Sequence, residues 1–468
     1  MSAPIYDKLL KYRREDIYPF HMPGHKGGRG IPQWDIFNID ITEIPGFDNL
    51  MAPDGIILQA EEKAAHLWGA KKTLFSVNGS SGSLIAAISA VCGEGERIIV
   101  ARNCHESVYS ALVFSGCMPY YVYPKEVEKT DIVGGITAES IEEALKANTE
   151  ARAVVITSPS AEGICSDVGA IAEIVHRKNI PLIVDEAHGA HFMFSDCFPK
   201  NALSQGADVV VQSMHKTLNA PTQTSLIHIG SDMVDAKRIE KTLSMLQTSS
   251  PSYIFMAFMD KCRDELEQNG FEKYKVFTDK IKSYRHEFKN LKGMSLFDES
   301  FIGKSGISAI DISKFTVITK NLSGTQAAGE LEKRKIMLEM SCPGHFTAIT
   351  TPSDTDEGFE RLMCALSQID KINGKNALLD RILPYPKAET VCSLRTAFYK
   401  KSIETDFDSS AGRVSAEFAI PYPPGIPVIA PGERINRQMI DVLREYAKNG
   451  VEIVGLEHSG LEKIKVLR

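Results

Sequence analysis

This sequence has no surplus of positive charge, no paired cysteines, no long apolar run and no low-complexity tract. Its 53 lysines and arginines face 60 aspartates and glutamates, a formal net charge of −7 over 468 residues. Proteins that grip a phosphate backbone carry a basic field, so nucleic-acid binding is excluded as a main activity. The nine cysteines form no CxxC pair, and a chain this long buries enough surface to fold without disulfide staples. Reduced thiols in a cytoplasmic protein are therefore expected. No apolar run approaches the roughly 20 residues that span a bilayer. The first residues, MSAPIYDKLLKYRREDIYPF, carry charges where a signal peptide needs an apolar centre. The expected partners are a small molecule and further copies of the chain, with no membrane.

What is present is ordinary globular composition, 43% hydrophobic and 24% charged, enough for two or three packed units. Seven short runs rich in Val, Ile and Tyr recur: KTLFSVNG (72–79), RIIVARN (97–103), MPYYVYP (118–124), AVVITSPS (153–160), IPLIVDEAH (180–188), DVVVQSMHK (208–216) and TSLIHIG (224–230). Near-continuous apolar runs read as strands buried on both faces, and helical stretches between them, such as SIEEALKAN, supply crossovers. The fold class is therefore α/β with a mostly parallel seven-stranded sheet. Long helices follow, from MAFMDKCRDELEQNG through KIKSYRHEFKNLKG. ISAIDIS and TAITTPSDT, flanking GTQAAGELEKRK, predict a smaller α+β domain, and PYPPGIPVIAPGE (421–433) places rigid turns in a third, C-terminal α+β unit. The expected division is an N-terminal arm and linker (1–60), a large domain (61–300), a small domain (301–375) and a C-terminal domain (376–468).

Ligands of such sheets bind beyond the carboxyl ends of the strands. Asn78, Asn103, Ser158, Asp185, His188 and the stretch Ser213 to Lys216 all fall there. Gly79, Ser80, Ser81 and Gly82 end one strand and open an apolar helix, a geometry that offers free N–H groups and hydroxyls to an anion. The stretch lacks Walker and G-x-G-x-x-G spacing, and Ser is also a common N-cap. Asp185 ends an apolar strand and is placed to hold a cation. With His188 and His191 it is also a conceivable metal set, but no further ligand stands at convincing spacing. Lys216, at the end of a buried strand, is costly to keep charged. An anion cup, an aspartate for a pyridinium nitrogen and an amine for a Schiff base are together what pyridoxal 5′-phosphate (PLP) requires. Ser213 can add a phosphate hydrogen bond. His105, in RNCHES, can stack on the ring or serve as a plain surface histidine.

FHMPGHKGG, GFDNLMAPDGI, RNCHES, VDEAHGAHF, QSMHK, LQTSSPSY and PYPPGIPVIAPGE resemble the motifs of the bacterial ornithine/lysine/arginine decarboxylases. That likeness spans about residues 5 to 440. It implies the aspartate-aminotransferase fold and PLP-dependent decarboxylation of a basic amino acid. By that resemblance Lys216 is the Schiff-base lysine, Asp185 the pyridinium partner and His105 the stacking residue. Gly79, Ser80, Ser81 and Ser213 hold the phosphate, while Ala187, His188 and His215 line the cofactor, His215 or Lys216 returning a proton to Cα. The resemblance further implies that Thr248 and Ser249 reach the cofactor phosphate of a neighbouring subunit in a homodimer. It also leads us to expect that the N-terminal wing domain of the larger members is absent, since the motifs begin by residue 20.

Three stretches depart from the family pattern. TSPSAEG puts Ser160 and Ala161 where Thr and Tyr are frequent. RNCHES has Glu106 in place of a lysine, and FDSSAGR has Ser409 where an acid recognises the far end of the substrate. Asp406, Asp408 and Glu417 are candidate substitutes, or else solvated loop carboxylates. Two rivals follow from the same parts. One is an aminotransferase or carbon–sulfur lyase, which would need an arginine on the α-carboxylate, with Arg361, Arg395 and Arg413 as candidates. The other is a PLP-binding protein without turnover.

Overall fold

The computed structural model describes residues 12, 14–31, 35–372, 385–422, 425–458 and 460–468. The expected boundary between residues 375 and 376, and Pro423 and Pro424 of the Pro/Gly-rich segment, lie outside them. Seven strands form the large sheet: β1 (Lys72–Ser76), β2 (Arg97–Ala101), β3 (Met118–Val122), β4 (Ala151–Thr157), β5 (Leu182–Asp185), β6 (Val209–Ser213) and β7 (Ser225–Ile229). Their order is β1-β7-β6-β5-β4-β2-β3. Only β7 runs against its neighbours, β6 and β1; the pairs β6/β5, β5/β4, β4/β2 and β2/β3 are parallel. The seven apolar runs are these seven strands. All residues of β5, β6 and β7 are buried, because helices cover both faces and leave no polar side to alternate with.

One face packs on α1 (Gly79–Val91) and α2 (Glu106–Ser115) in a core containing Ile88, Ile99, Val155 and Val210. A single helical turn, α3 (Met214–Thr217), follows β6. The other face meets α4 (Tyr253–Phe288), one unbroken 36-residue helix, across a core that includes Phe75, Phe194, Met259 and Phe277. Gly270 sits inside α4 despite its helix cost because a Cβ there would come within 2.8 Å of the Phe194 ring. Among the described residues no helix is long and apolar enough to cross a membrane.

The small domain is a four-stranded antiparallel sheet ordered β8 (Met294–Leu296), β9 (Lys314–Thr319), β11 (His345–Ile349) and β10 (Met340–Ser341). Its first strand thus lies before residue 301. Helices α5 (Gly324–Lys333) and α6 (Asp356–Ile369) accompany it, α5 opened by a capping box between Ser323 and Gln326. The N-terminal arm adds Tyr18–Phe20 in parallel to Ile336–Leu338, then runs on toward α3. The C-terminal unit pairs Ser402–Asp406 with Lys463–Leu467 and Ile420–Tyr422 with Glu452–Val454. It adds α7 (Arg437–Lys448) and closes its own core around Phe407, Met439, Leu443 and Val466.

Candidate active site

A cavity of about 240 Å³ opens at the carboxyl ends of β4 to β6, and Asn103, His105, Asp185, Ala187, His188 and Lys216 line it. Lys216 arrives there because β6 stops at Ser213 and folds into α3, which anchors Met214 in the core and leaves Lys216 half-buried at the rim. Its Nζ lies 3.0 Å from His188 Nε2. Burial lowers the Lys216 pKa, opposed by the charges of Asp185 and Glu339. The outcome is an amine more readily neutral, and so more nucleophilic, than a surface lysine.

Asp185 closes the floor of the cavity. It is buried, and its Oδ1 accepts the Ala187 N–H at 3.1 Å. Burial raises its carboxyl, with Lys216 pulling the other way. A buried carboxylate with a single short backbone donor calls for a cation. His188 is held well below the ordinary histidine range by burial and then by Lys216. Its neutral ring accepts from Lys216 at Nε2, and its Nδ1, which then carries the proton, is buried with no partner among the described residues. His105 caps α2: its Nδ1 accepts from Ser107 N–H at 3.2 Å and pairs with Ser107 Oγ at 2.9 Å. That fixes the ring at the mouth. Although the residue is open to the cavity, the surrounding walls desolvate it and, with Lys216, push it down to about 4.

The Ser-rich turn forms a cradle at the start of α1. Gly79 takes a positive φ of 64°, which glycine adopts without strain. Its N–H donates to Gln223 O and that of Gly82 to Asn78 O, so the N–H groups of Ser80 and Ser81 have no carbonyl of their own turn. Ser80 Oγ lies 2.6 Å from Ser213 Oγ and 3.2 Å from Ser225 Oγ, while Ser81 is exposed. The hydroxyls of two strands and a helix start therefore converge at one point. His215 turns its Nδ1 to Thr224 O at 3.1 Å and does not line the cavity that Lys216 enters. Thr248 and Ser249 are exposed, just beyond a latch in which Gln247 Oε1 accepts Val77 N–H and Asn78 Nδ2 donates to Leu246 O. His191 leaves the group altogether, pairing with Asp311 Oδ1 and Ser313 Oγ at 3.3 Å.

At the departures, Ser160 and Ala161 do line the cavity, and Ser160 Oγ also accepts Ile164 N–H within its turn. Ser409 is exposed in a turn capped by Asp406. Asp408 pairs with Arg444, and Glu417 accepts the N–H groups of Glu457 and Lys465. All three candidate acids are thus engaged inside the C-terminal unit. Arg361 is bound to Asp16, Arg395 to Phe114 O and Arg413 to Leu467 O.

Sequence reasoning missed the far wall, where Glu162, Glu339, Met340, Tyr422 and Ile426 join Met22 of the N-terminal arm. The glycines of FHMPGHKGG carry the one signal available. Gly24 N–H donates to His215 O, and a Cβ on Gly24 would stand 2.6 Å from Leu218 O, so the arm can press on the Lys216 turn only as glycine. Lys26 is buried and donates to the carbonyls of Pro19, His21 and Ile349. Lys314 is buried with no partner for Nζ among the described residues, and burial lowers it to about 8.

Behind the wall, His345 Nδ1 meets Asp131 Oδ1 at 2.7 Å, and Asp131 Oδ2 accepts Gly344 N–H. Burial alone would push His345 down, but the Asp131 carboxylate outweighs it and holds the imidazolium well above the ordinary range. A raised histidine stabilises fully below its unfolded pKa of 6.5 and progressively less as pH climbs toward the folded value. Chemical denaturation should therefore show stability falling as pH rises from 6.5, by more in the wild type than in His345→Gln. Equal slopes in the two proteins would refute this.

The chain matches the family description "Orn/Lys/Arg decarboxylase, major domain" over residues 3–321 and "Orn/Lys/Arg decarboxylase, C-terminal domain" over residues 387–462. It is 33% identical to the arginine decarboxylase of Bacillus subtilis over 100% of this chain and 98% of that protein. It is 24% identical to the constitutive lysine decarboxylase of Escherichia coli over 100% of this chain and 82% of that one. The solved structure of that E. coli enzyme superposes with a TM-score of 0.80 at 21% identity, covering 100% and 82% of the two chains. An L-threonine transaldolase of Pseudomonas fluorescens follows the same fold at TM-score 0.59 and 17% identity, covering 81% and 89%. Matched in both its major and its C-terminal domain, and alike over its full length to an arginine decarboxylase, the chain belongs to the Orn/Lys/Arg decarboxylase family.

Proposed function

We propose that this protein removes the α-carboxyl group of arginine as CO2, leaving the amine agmatine, with PLP as cofactor. The observation that carries the reading is one cavity holding a desolvated Lys216, a buried Asp185 and a capped His105. The residues fit that cofactor: Asp185 lacks a cation, and the cradle offers hydroxyls and free N–H groups to a phosphate. Asp185 would hold the proton on the ring nitrogen and His105 would cover the ring. Ser80, Ser81 and Ser213 would take the phosphate beside Gly79, and Lys216 would be the covalent anchor. When bound, PLP supplies an electron sink for the pair left behind by departing CO2.

The chain's own groups do the rest. Asp185 stays ionised only opposite a positive charge, so it locks the ring nitrogen in its protonated form. Lys216 Nζ, 3.0 Å from neutral His188, is the group in reach to give a proton back to Cα. His215, its Nδ1 bonded to Thr224 O, would steady the α3 turn that carries Lys216. Apolar Met22, Val133, Met340 and Ile426 keep water from the reacting carboxylate. The arginines a transaminase would use on that carboxylate are bound elsewhere, which favours its release.

Mass spectrometry of products from PLP-reconstituted protein supplied with arginine, lysine and ornithine tests the proposal. Agmatine with one CO2 per turnover is expected. A keto acid would move the assignment to an aminotransferase, and bound PLP with no product to a non-catalytic protein.

The same reading makes the enzyme a cytoplasmic homodimer in which Thr248 and Ser249 serve the neighbouring phosphate. Thr248→Glu sets a carboxylate against that phosphate, so each homodimer of this variant should lose its cofactor. Mixed with an inactive Lys216→Ala chain, it should regain roughly a quarter of wild-type activity, because half of random dimers then carry one intact site. No recovery on mixing would place Thr248 in its own chain's site.

A further inference from the structure

Besides Asp185, two carboxylates line the cavity that Lys216 enters, and neither belongs to the C-terminal turn. Glu162 and Glu339 line the cavity. Glu162 is buried, and His345 Nε2 lies 4.0 Å from its carboxylate. Its backbone is pinned, since Thr316 Oγ1 donates to Glu162 O at 2.9 Å. Glu339 Oε2 accepts the Met22 N–H at 2.9 Å, which leaves its other oxygen toward the cavity. Beside the polar Asn103, Thr157 and Ser160, the lining offers an apolar set: Met22, Val133, Ala161, Met340 and Ile426. A sleeve of that kind suits a methylene stem, and the acids suit a cation at its end.

We propose that Glu162 and Glu339 form the subsite for the far cationic end of the substrate, a guanidinium, and that His345 with Asp131 positions Glu162. This rests on the decarboxylase reading above. A guanidinium spreads five N–H donors over a plane and can serve two carboxylates at once. The imidazole of His345, fixed at Nδ1 by Asp131, presents Nε2 to Glu162 from behind the wall. From there it can hold the glutamate's orientation toward the cavity. Asp131 and His345 are positioning residues, because neither lines the cavity.

The test compares arginine with citrulline, its uncharged near-isostere, in the PLP-loaded wild type, Glu162→Gln and Glu339→Gln. Steady-state kinetics and calorimetric binding are both read, and bound cofactor is checked by its absorbance. In each variant KM and Kd for arginine should rise by roughly 10- to 100-fold, with kcat and cofactor content little changed, and the preference for arginine over citrulline should shrink by the same factor. His345→Gln should raise KM less and should add nothing on top of Glu162→Gln. Wild-type KM and preference in both glutamine variants would overturn the subsite while leaving the decarboxylase reading intact. A wild type that releases CO2 from no basic amino acid would overturn both. An arginine KM altered equally by His345→Gln in the presence and absence of Glu162 would overturn the positioning role.

Discussion

Lys216→Ala should yield a folded protein that releases no measurable CO2 and has lost the visible absorption of covalently held cofactor. The expected fall in kcat/KM is on the order of 10⁴ or more, because the residue is both the anchor and the proton donor of the proposed reaction. Stability should not suffer. In the structure Lys216 is a desolvated amine whose pKa burial has lowered, with Asp185 and Glu339 only partly compensating, so its removal relieves a cost. A thermal midpoint equal to or above that of the wild type would separate loss of chemistry from loss of fold. Turnover retained by the variant, or a fall in stability that explains the loss, would defeat the assignment.

The other large effect concerns a residue far from the chemistry. Arg102, at the end of β2, and Glu433, in the C-terminal unit, are both completely buried. They form a two-pronged pair: Arg102 Nη1 with Glu433 Oε1, and Nη2 with Oε2 at 3.0 Å. Nη2 also donates to Val428 O, and Glu433 Oε2 accepts the Ala430 N–H. Tyr121 and Tyr109 lie with their rings 4.5 and 5.6 Å from the guanidinium. Glu433→Ala strands a buried cation with no counter-charge, and breaking such a pair from one side costs about 3–5 kcal/mol. Calorimetry should show the C-terminal unit melting first, as a separate low-temperature transition. Since Tyr422 and Ile426 of that unit line the cavity, kcat/KM should fall as well. The double variant Arg102→Met with Glu433→Leu removes both charges and should recover most of the stability. A double variant no more stable than the single one would mean that the joint depends on packing and not on the pair.

The sheet was readable because its strands are buried on both faces. VVVQS and LIVD cannot be mistaken for amphipathic elements, and each leads to a candidate residue, Lys216 three positions beyond the first and Asp185 at the end of the second. The cradle was readable for a similar reason, since Gly79, Ser80 and Ser81 stand together in the chain. Ser213 needed only the expectation that strand ends share a rim. His188 was expected to line the cofactor, but its contact with Lys216 Nζ was not foreseen. His215 was expected at the cofactor, and the bond from its Nδ1 to Thr224 O was not foreseen.

Other features carried no sequence signal. Glu162 and Glu339 are lone glutamates among the 60 acids, and nothing beside them in the chain distinguishes them from surface carboxylates. Arg102 finds Glu433 across 331 residues, and Asp131 finds His345 across 214. Lys26 lies in a motif that the sequence marks, yet its use as a donor to three carbonyls emerged only when the arm was seen packed against β11 and α3.

The sequence by itself determined the α/β class, the strands and the rim, because these depend on the periodicity of burial and on turn residues that are neighbours along the chain, while the family's chemistry came from the resemblance its motifs carry. Tertiary structure alone decided which carboxylates face Lys216, which charges are buried in pairs and which candidate acids are already engaged. A charge gains its meaning from desolvation and from the partner brought within a few ångströms of it, and folding sets both through contacts between segments that no local pattern links.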